Sequence, residues 1–464
     1  MSIDSSYFKS IVQDLVYDLE RTFPYASVLA LETSGERITV QTRQQSAELL
    51  DPARGAVLTA FNGRSFLESA THDLSPEGLN EAVARLKELG KNQGIFYDGP
   101  VIDPGPKGDE DFLVKCQNHP EYVSLGDKIK ACADLKDRLH REEERVVQAT
   151  SQYAYVRSRE LFVNRHKILF QDLRRTQMVA QVIMREGDRS VNLHTGQALQ
   201  GGYEQAFISE DKLSRLIEDC RHLLSARRLD PGYYACVFSP EFSGIFAHEA
   251  FGHGTETDMF LKKRAKGEEY IGKPVASPLV NMFDSPALPG QAASFFFDHE
   301  GELARETRII EKGILKRGLT DLNSATRLSI PRSANGRRES FERKVYARMT
   351  NTYFGPGEDT REAMLASIDD GYFLDHPSNG MEDPKGWGIQ LEGYYAERIK
   401  NGRLTGEIFS PVIITGYVPD LLQSISMVGD KMEISGLGMC GKGHKEWVKV
   451  TDGGPYLKLR ARLA

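Results

Sequence analysis

The sequence lacks three features, and each absence excludes a class of protein. No run of about 18 apolar residues occurs in the 464-residue chain, so we expect no membrane-spanning helix and no membrane partner. The 59 lysines and arginines are outnumbered by 66 aspartates and glutamates, and the net charge of −7 argues against a nucleic-acid partner. The opening segment MSIDSSYFKS has no basic stretch followed by an apolar one, so we expect no secretory signal.

Cysteine is scarce as well. The chain has five cysteines, an odd number at wide spacings, which argues against a disulfide framework and favours the reducing cytoplasm. Cys132, Cys220 and Cys236 stand in apolar patterns that are typical of small buried core residues. Cys116 lies in irregular sequence, so its role is left open, and Cys440 stands in a glycine-rich segment.

Apolar residues make up 40% of the chain, enough to bury two or three domains of ordinary size. Residues 1–228 mix amphipathic helical patterns with short strand patterns, which predicts an N-terminal α+β region of α/β-hairpin modules. Prolines and glycines cluster at 91–122 and indicate a subdivision there. Residues 229–464 are predicted to form a β-rich C-terminal domain that carries the histidine-bearing helix described below.

Capping and turn signals place the N-terminal elements. Ser75 followed by Pro76 predicts the start of a helix, and Asn62-Gly63 predicts a two-residue hairpin turn. The predicted helices span 8–23, 75–89, 127–145 and 210–226, and the predicted strands span 26–31, 37–42, 55–61, 64–70, 146–163 and 176–184.

The most informative segment of the chain has the pattern H-E-x-x-x-H, formed by His248, Glu249 and His253. Two imidazoles and an adjacent carboxylate are most of a hydrolytic zinc site. On a regular α-helix, residues five apart point about 140° away from each other, so the two imidazoles could not meet one ion. We therefore predict a π-bulge or a break between Glu249 and His253, eased by Gly252. The alternative is two ordinary histidines, one of them at a helix C-terminus, where a cation is favourable.

A catalytic zinc site usually has three protein ligands, so a third ligand is needed. Cys440 is the candidate, because its glycine-rich surroundings at 436–443 let the backbone approach another element closely. His444 lies nearby and is an alternative ligand, although a solvated histidine is the simpler interpretation.

These segments resemble the TldD/PmbA family, in particular its TldD-type metallopeptidases. The HEAFGHG segment at 248–254 looks like the family's zinc motif, and GMCGK at 438–442 looks like its cysteine-bearing ligand loop. The resemblance covers nearly the whole chain in order, and further similar segments lie at 62–66, 73–76, 298–301, 305–307, 335–338, 348–352 and 383–388.

The resemblance implies that His248, His253 and Cys440 bind one Zn²⁺ per chain and that Glu249 is the general base. It also implies that two subunits enclose a chamber that admits unfolded peptides, either as a homodimer or as a heterodimer with a motif-less PmbA-type subunit. After Cys440 the chain departs from the family's usual short ending, which bears on the pairing surface and the substrate preference.

Other polar residues in the similar segments are weaker candidates for the site. Asp298 and Glu300 could orient a histidine ligand, or serve only in a turn. Four further side chains could stabilise an oxyanion, although packing or a surface ion pair is the more ordinary role for each. They are Arg337, Arg338, Tyr394 and Tyr395.

The sequence thus predicts a zinc-dependent peptidase that hydrolyses unfolded or modified peptides. The main alternative is a non-catalytic TldD/PmbA-type binding subunit or regulator, although all four residues of the catalytic type are present. A zinc amidase acting on small molecules and a topoisomerase-associated regulator are further alternatives. The acidic charge balance argues against the last of these.

Overall fold

A computed structural model describes residues 2–464, so only Met1 lies outside it. The fold is mixed α/β and rich in strands, and its first sheet has seven of them. They are β1 (Tyr25–Gln41), β2 (Gln45–Phe61), β3 (Phe66–Thr71), β4 (Gly108–Leu113), β5 (Val146–Asn164), β6 (Lys167–Glu186) and β7 (Arg189–Gln200). The order is β3-β2-β1-β5-β6-β4, and β7 also pairs with β6. All these pairings are antiparallel except that of β4 with β6.

Four helices pack on this sheet, and all four predicted helices are confirmed. In each, an apolar stripe is buried, as an amphipathic helix on a sheet requires. The predicted cap at Ser75 is present, since its side chain accepts a hydrogen bond from the Gly78 N–H. The helices are α1 (Ser6–Glu20), α2 (Pro76–Gln93), α3 (Leu125–Glu142) and α4 (Glu210–Leu224).

The second sheet has eleven strands and belongs to the C-terminal half. They are β8 (Gly232–Phe238), β9 (Met282–Asp284), β10 (Thr307–Glu311), β11 (Ile314–Leu315), β14 (Asn351–Phe354), β15 (Asp370–Glu382), β16 (Gly388–Lys400), β17 (Arg403–Phe409), β18 (Val412–Tyr417), β19 (Met427–Ser435) and β22 (Thr451–Leu463). Its order is β11-β10-β9-β14-β22-β18-β16-β15-β8. Because β22 also pairs with β8, strands β8, β15, β16, β18 and β22 close into a ring.

Two small ribbons and five short helices complete the C-terminal half. The ribbons pair β12 (Gly336–Arg337) with β13 (Tyr346–Ala347), and β20 (Met439–Lys442) with β21 (Glu446–Lys449). The helices are α5 (Pro240–Ala247), α6 (Thr257–Leu261), α7 (Leu322–Leu328), α8 (Arg361–Ala366) and α9 (Val418–Gln423). No helix among residues 2–464 is both long and apolar enough to cross a membrane.

Several details differ from the sequence prediction. The strands predicted at 26–31 and 37–42 are one long strand, β1. The hairpin between β2 and β3 is present, but the chain reverses over Gly63 and Arg64, because the Asn62 N–H donates to the Ser65 carbonyl oxygen. The segment 91–122 contains the unpredicted strand β4, which joins the first sheet.

The hydrophobic core continues across the predicted boundary between residues 228 and 229. One buried cluster joins Tyr153 and Met178 of the first sheet to Val237, Phe373 and Tyr395 of the second. The two sheets therefore share apolar contacts, and the division into regions 1–228 and 229–464 stays a prediction.

Candidate metal centre

The histidine motif begins on α5 and continues into a turn of π-helix. Ser239 caps α5 by accepting from the Phe242 N–H at 3.2 Å, and Pro240 occupies the first turn. The π-turn spans His248–Gly252, which confirms the predicted bulge. It brings the rings of His248 and His253 to 5.0 Å between centroids, at an interplanar angle of 82°.

Gly252 is needed at the end of this turn. A Cβ atom added there would lie 2.1 Å from the Sδ atom of Met349, which is fully buried. The absence of a side chain lets the π-turn pack closely against the segment that leads into β14.

Cys440 reaches the same place from the ribbon β20–β21, where it pairs with Val448. Its Sγ lies 3.5 Å from Nε2 of His253, and the ligand atoms of Cys440, His248 and His253 all lie within 4.8 Å of one another. A tetrahedral zinc ion at about 2.3 Å from sulfur and about 2.0 Å from nitrogen would separate those two ligand atoms by about 3.5 Å. The donor set and its spacing therefore fit zinc.

Each histidine is held by a carboxylate on the side away from Cys440. Nδ1 of His248 lies 2.7 Å from Oδ1 of Asp452, and Nδ1 of His253 lies 3.2 Å from Oε2 of Glu256. A carboxylate at Nδ1 fixes the ring orientation and leaves Nε2 available as the ligand atom. Neither carboxylate is among the residues that the sequence predicts for the site.

Two cations, Lys442 and the buried Arg348, tie the cysteine ribbon to the histidine segment. Nζ of Lys442 lies 2.9 Å from Glu256 and 2.6 Å from Asp258. The fully buried Arg348 donates from Nη2 to the carbonyl oxygen of Cys440 at 2.6 Å. Burial alone would raise the pKa of Glu256, but Lys442 and His253 lower it far below its usual range. Glu256 therefore stays ionised and keeps its hydrogen bond to Nδ1 of His253.

The surroundings of Cys440 differ from those of the core cysteines. Burial alone would raise the pKa of Cys440, but His253 and His248 lower that pKa to about 5. Burial raises the pKa of Cys220 and of Cys236 to about 12, and both are core residues, as predicted. Cys440 thus has the environment of a thiolate, the form of cysteine that binds metals.

Glu249 lines the same cavity, which has a volume of about 610 Å³. Its side chain packs against Gly380 of β15, where an added Cβ would lie 2.4 Å from Cγ of Glu249. Burial raises the pKa of Glu249, an effect that His248 and His253 oppose. A second carboxyl, Glu382, was not expected here; both of its oxygens are buried without a hydrogen-bond partner, and burial raises its pKa to about 9.

Asp298 and Glu300, the residues suggested to orient a histidine, lie elsewhere. Asp298 accepts from the backbone N–H groups of Glu300, Glu302 and Gly336, so it closes a turn. Glu300 accepts from the Leu322 N–H at 2.6 Å. Asp298 therefore serves the turn 298–302 and Gly336, whereas Glu300 accepts at the start of α7.

The four suggested oxyanion donors do not line the metal cavity either. Arg337 donates to the carbonyl oxygens of Met349 and Lys449, and Arg338 pairs with Glu68 at 2.6 Å. Tyr394 is 41% exposed, whereas Tyr395 is buried in the shared core. His444 is exposed in the turn of the β20–β21 ribbon and is not part of the ligand group.

Known proteins resemble this chain over most of its length. A metalloprotease of Methanocaldococcus jannaschii is 29% identical over 439 residues, which cover 93% of this chain and 95% of the relative. A zinc metalloprotease TldD homolog of Saccharolobus solfataricus is 32% identical over 286 residues, 60% of this chain and 62% of the relative. The crystal structure of TldE from Thermococcus kodakarensis shares the fold, with a TM-score of 0.79 at 15% identity over 98% of this chain and 100% of that one.

A family model described as the PmbA/TldA metallopeptidase C-terminal domain matches residues 231–462, half of the chain. The matched region contains the two histidines, Glu249 and Cys440. This chain therefore belongs to the TldD/PmbA family of metallopeptidases.

Proposed function

We propose that this chain is a zinc-dependent peptidase that hydrolyses unfolded or modified peptides in a chamber formed with a second subunit. The observation that carries the proposal is the convergence of His248, His253 and Cys440, whose ligand atoms lie within 4.8 Å of one another beside Glu249. The names of the metalloprotease relatives support the same activity.

Each residue of the site has a separate chemical role. Zinc held by His248, His253 and Cys440 would supply Lewis-acid chemistry, lowering the pKa of a water molecule and polarising the scissile carbonyl. Glu249 follows its histidine directly and is not one of the three ligands, so its carboxylate takes the proton of the attacking water and passes it to the leaving amine. Asp452 and Glu256 keep the two imidazole rings in their orientation throughout.

The cavity around Glu249 suits substrates with varied side chains. Its walls include Met259, Met381 and Met439, and the last two are more than half exposed. Methionine side chains are flexible and adapt to ligands of different shape.

A second subunit, either identical or a motif-less PmbA-type chain, would cover the open cavity and exclude folded proteins. All five cysteines are free, which suits a reducing cytoplasm and keeps Cys440 available as a thiolate.

Metal content and turnover together test the proposal. We expect about one zinc per chain in protein purified without chelator, and its loss in Cys440→Ser, because a site with two protein ligands is incomplete. The matched control is Cys116→Ser, whose thiol makes its hydrogen bond to the Asn118 carbonyl oxygen. Glu249→Gln should keep the zinc and lose about 100-fold or more in hydrolysis of an unfolded peptide.

Two outcomes would contradict this function. Wild-type protein without zinc would indicate the non-catalytic binding subunit instead. Full turnover by Glu249→Gln would remove Glu249 from the role of general base while leaving the metal site intact.

A further inference from the structure

A second cavity, of about 130 Å³, lies between the first sheet and the ribbon that carries Cys440. Strands β1, β5 and β6 line one side, and residues 447–449 of β21 line the other. Four cationic side chains reach it from different elements. They are Arg175, Arg337, Arg338 and Lys449.

The carboxylates around this cavity already have partners of their own. Glu160 lies 3.5 Å from His299, its Oε2 accepts from the Gln171 amide at 2.6 Å, and its charge also acts on Arg175. Asp298 pairs with Arg332 at 3.5 Å. The remaining lining carboxylate is also paired, since Glu339 lies 3.7 Å from Arg343.

Three of the four cations have no such partner. Arg338 pairs with Glu68, but among residues 2–464 no carboxylate lies within 4.0 Å of the side-chain nitrogens of Arg175, Arg337 or Lys449. Arg175 donates only Nε, to the Ala292 carbonyl oxygen at 2.6 Å, so its two terminal amino groups are unused. Nζ of Lys449 has one contact, Oε1 of Gln177 at 3.4 Å.

Arg175 lies close enough to repel the charges of both Lys449 and Arg337. Burial lowers the pKa of Lys449 to about 8, and Arg175 adds to the effect. Burial lowers the pKa of Arg337 to about 9, and the nearby charges of Arg348 and Arg175 lower it further. Asp452 opposes the shift at Lys449 but is engaged with His248. Glu160 opposes the shift at Arg175, and Asp284 opposes the shift at Arg337. Incompletely compensated charges are costly to take out of water, so the cavity keeps an excess of positive charge.

We propose that this cavity binds a small doubly charged oxyanion of the phosphate or sulfate class. Its volume is about four times the roughly 30 Å³ that one water molecule occupies in the liquid, which is room for such an ion. Guanidinium groups match oxyanions with paired N–H donors, and the unused amino groups of Arg175 provide them. Three unpaired cations favour a double negative charge over the single charge of a carboxylate.

The bound ion would also help to fix the position of Cys440 at the metal centre. Nη2 of Arg337 donates to the carbonyl oxygen of Lys449 at 2.7 Å, and the neighbouring Val448 lies opposite Cys440 in the ribbon. An oxyanion that draws Arg175, Arg337 and Lys449 together would fasten β21, and with it Cys440, to the first sheet.

Titration of the full-length protein with inorganic phosphate tests this proposal. At constant ionic strength, calorimetry should detect phosphate binding, and phosphate should raise the Tm more than chloride or acetate does. Lys449→Gln and Arg175→Gln should each weaken phosphate binding by about tenfold or more, because each removes a charged donor. The matched control is Arg185→Gln, an exposed position on the same strand as Arg175, which should keep the wild-type response.

Several results would overturn the proposal. Equal effects of phosphate and acetate would show that the cavity does not select a doubly charged ion. Equal effects of phosphate and chloride would show that the cavity is not a specific oxyanion site. Phosphate affinity unchanged in Lys449→Gln and Arg175→Gln, with both variants folded by circular dichroism, would place the ion elsewhere. A phosphate response that disappears when a chelator removes zinc would place the ion at the metal centre.

Discussion

At the scale of single residues, Asp452 governs how firmly His248 can hold a metal. Its carboxylate lies 2.7 Å from Nδ1 of that histidine, so Asp452→Asn keeps the shape but removes the charge that orients the ring and makes it more basic. We expect a 10- to 100-fold weaker affinity for zinc, of the order seen when such outer partners are lost. Competition with a chromophoric chelator measures it.

The control for Asp452→Asn is Asp430→Asn, which makes the same change at an exposed position. Zinc affinity should be unchanged there. Wild-type affinity in Asp452→Asn would mean that the packing around His248, and not the carboxylate, sets the ring orientation.

The sequence could reveal the candidate ligands but not most of their supports. His248, Glu249 and His253 stand in one short motif, and Cys440 in a recognisable glycine-rich segment. Asp452 has no local signal, because it meets His248 only when β22 lies beside α5. Glu256 could have been predicted, because it stands three residues after His253, the spacing at which helical side chains meet.

At the scale of elements, the close approach of β15 to the π-turn positions Glu249. Gly380→Ala should place a Cβ 2.4 Å from Cγ of Glu249 and displace its carboxylate without touching a metal ligand. We expect turnover to fall about 100-fold, since a catalytic group misplaced by about 1 Å costs that much. Zinc content, measured on the same sample, should stay at the wild-type level.

Gly388→Ala is the matched control for Gly380→Ala, because an added Cβ meets nothing within 4 Å at that position of β16. It should leave turnover and zinc content unchanged. Loss of zinc in Gly380→Ala would show that the substitution disturbs the whole π-turn and not Glu249 alone.

Elements with a local signal were predicted well, and those that depend on distant pairing were not. The four N-terminal helices carry apolar stripes and caps, and the π-turn follows from the five-residue spacing of the histidines. Strands β4 and β7 both lie on β6, and the polar residues of β4 show no alternation that predicts a strand. The length of β1 likewise comes from its pairing with β2 and β5 along nearly its whole extent.

At the scale of the whole molecule, the first sheet contacts both the second sheet and the ribbon that carries Cys440. Apolar residues of both sheets form one cluster, and the oxyanion cavity lies where the first sheet meets the cysteine ribbon. The N-terminal region therefore has a structural part in the site, although every candidate ligand lies in the C-terminal half. A C-terminal fragment alone would expose the apolar residues of that cluster.

The proposed chamber predicts selection by folding state. In a single chain the cavity beside Glu249 is open and has exposed methionines at its rim, which would not by itself exclude folded proteins. A covering subunit would admit only flexible chains, so a disulfide-locked protein should resist cleavage and become a substrate once it is reduced and unfolded.

Light scattering should give about twice the 52.0 kDa mass of one chain for a homodimer. If the mass is that of one chain, activity should appear only when a motif-less partner is added. Equal cleavage of the folded and unfolded forms by a monomer would show that the site works uncovered.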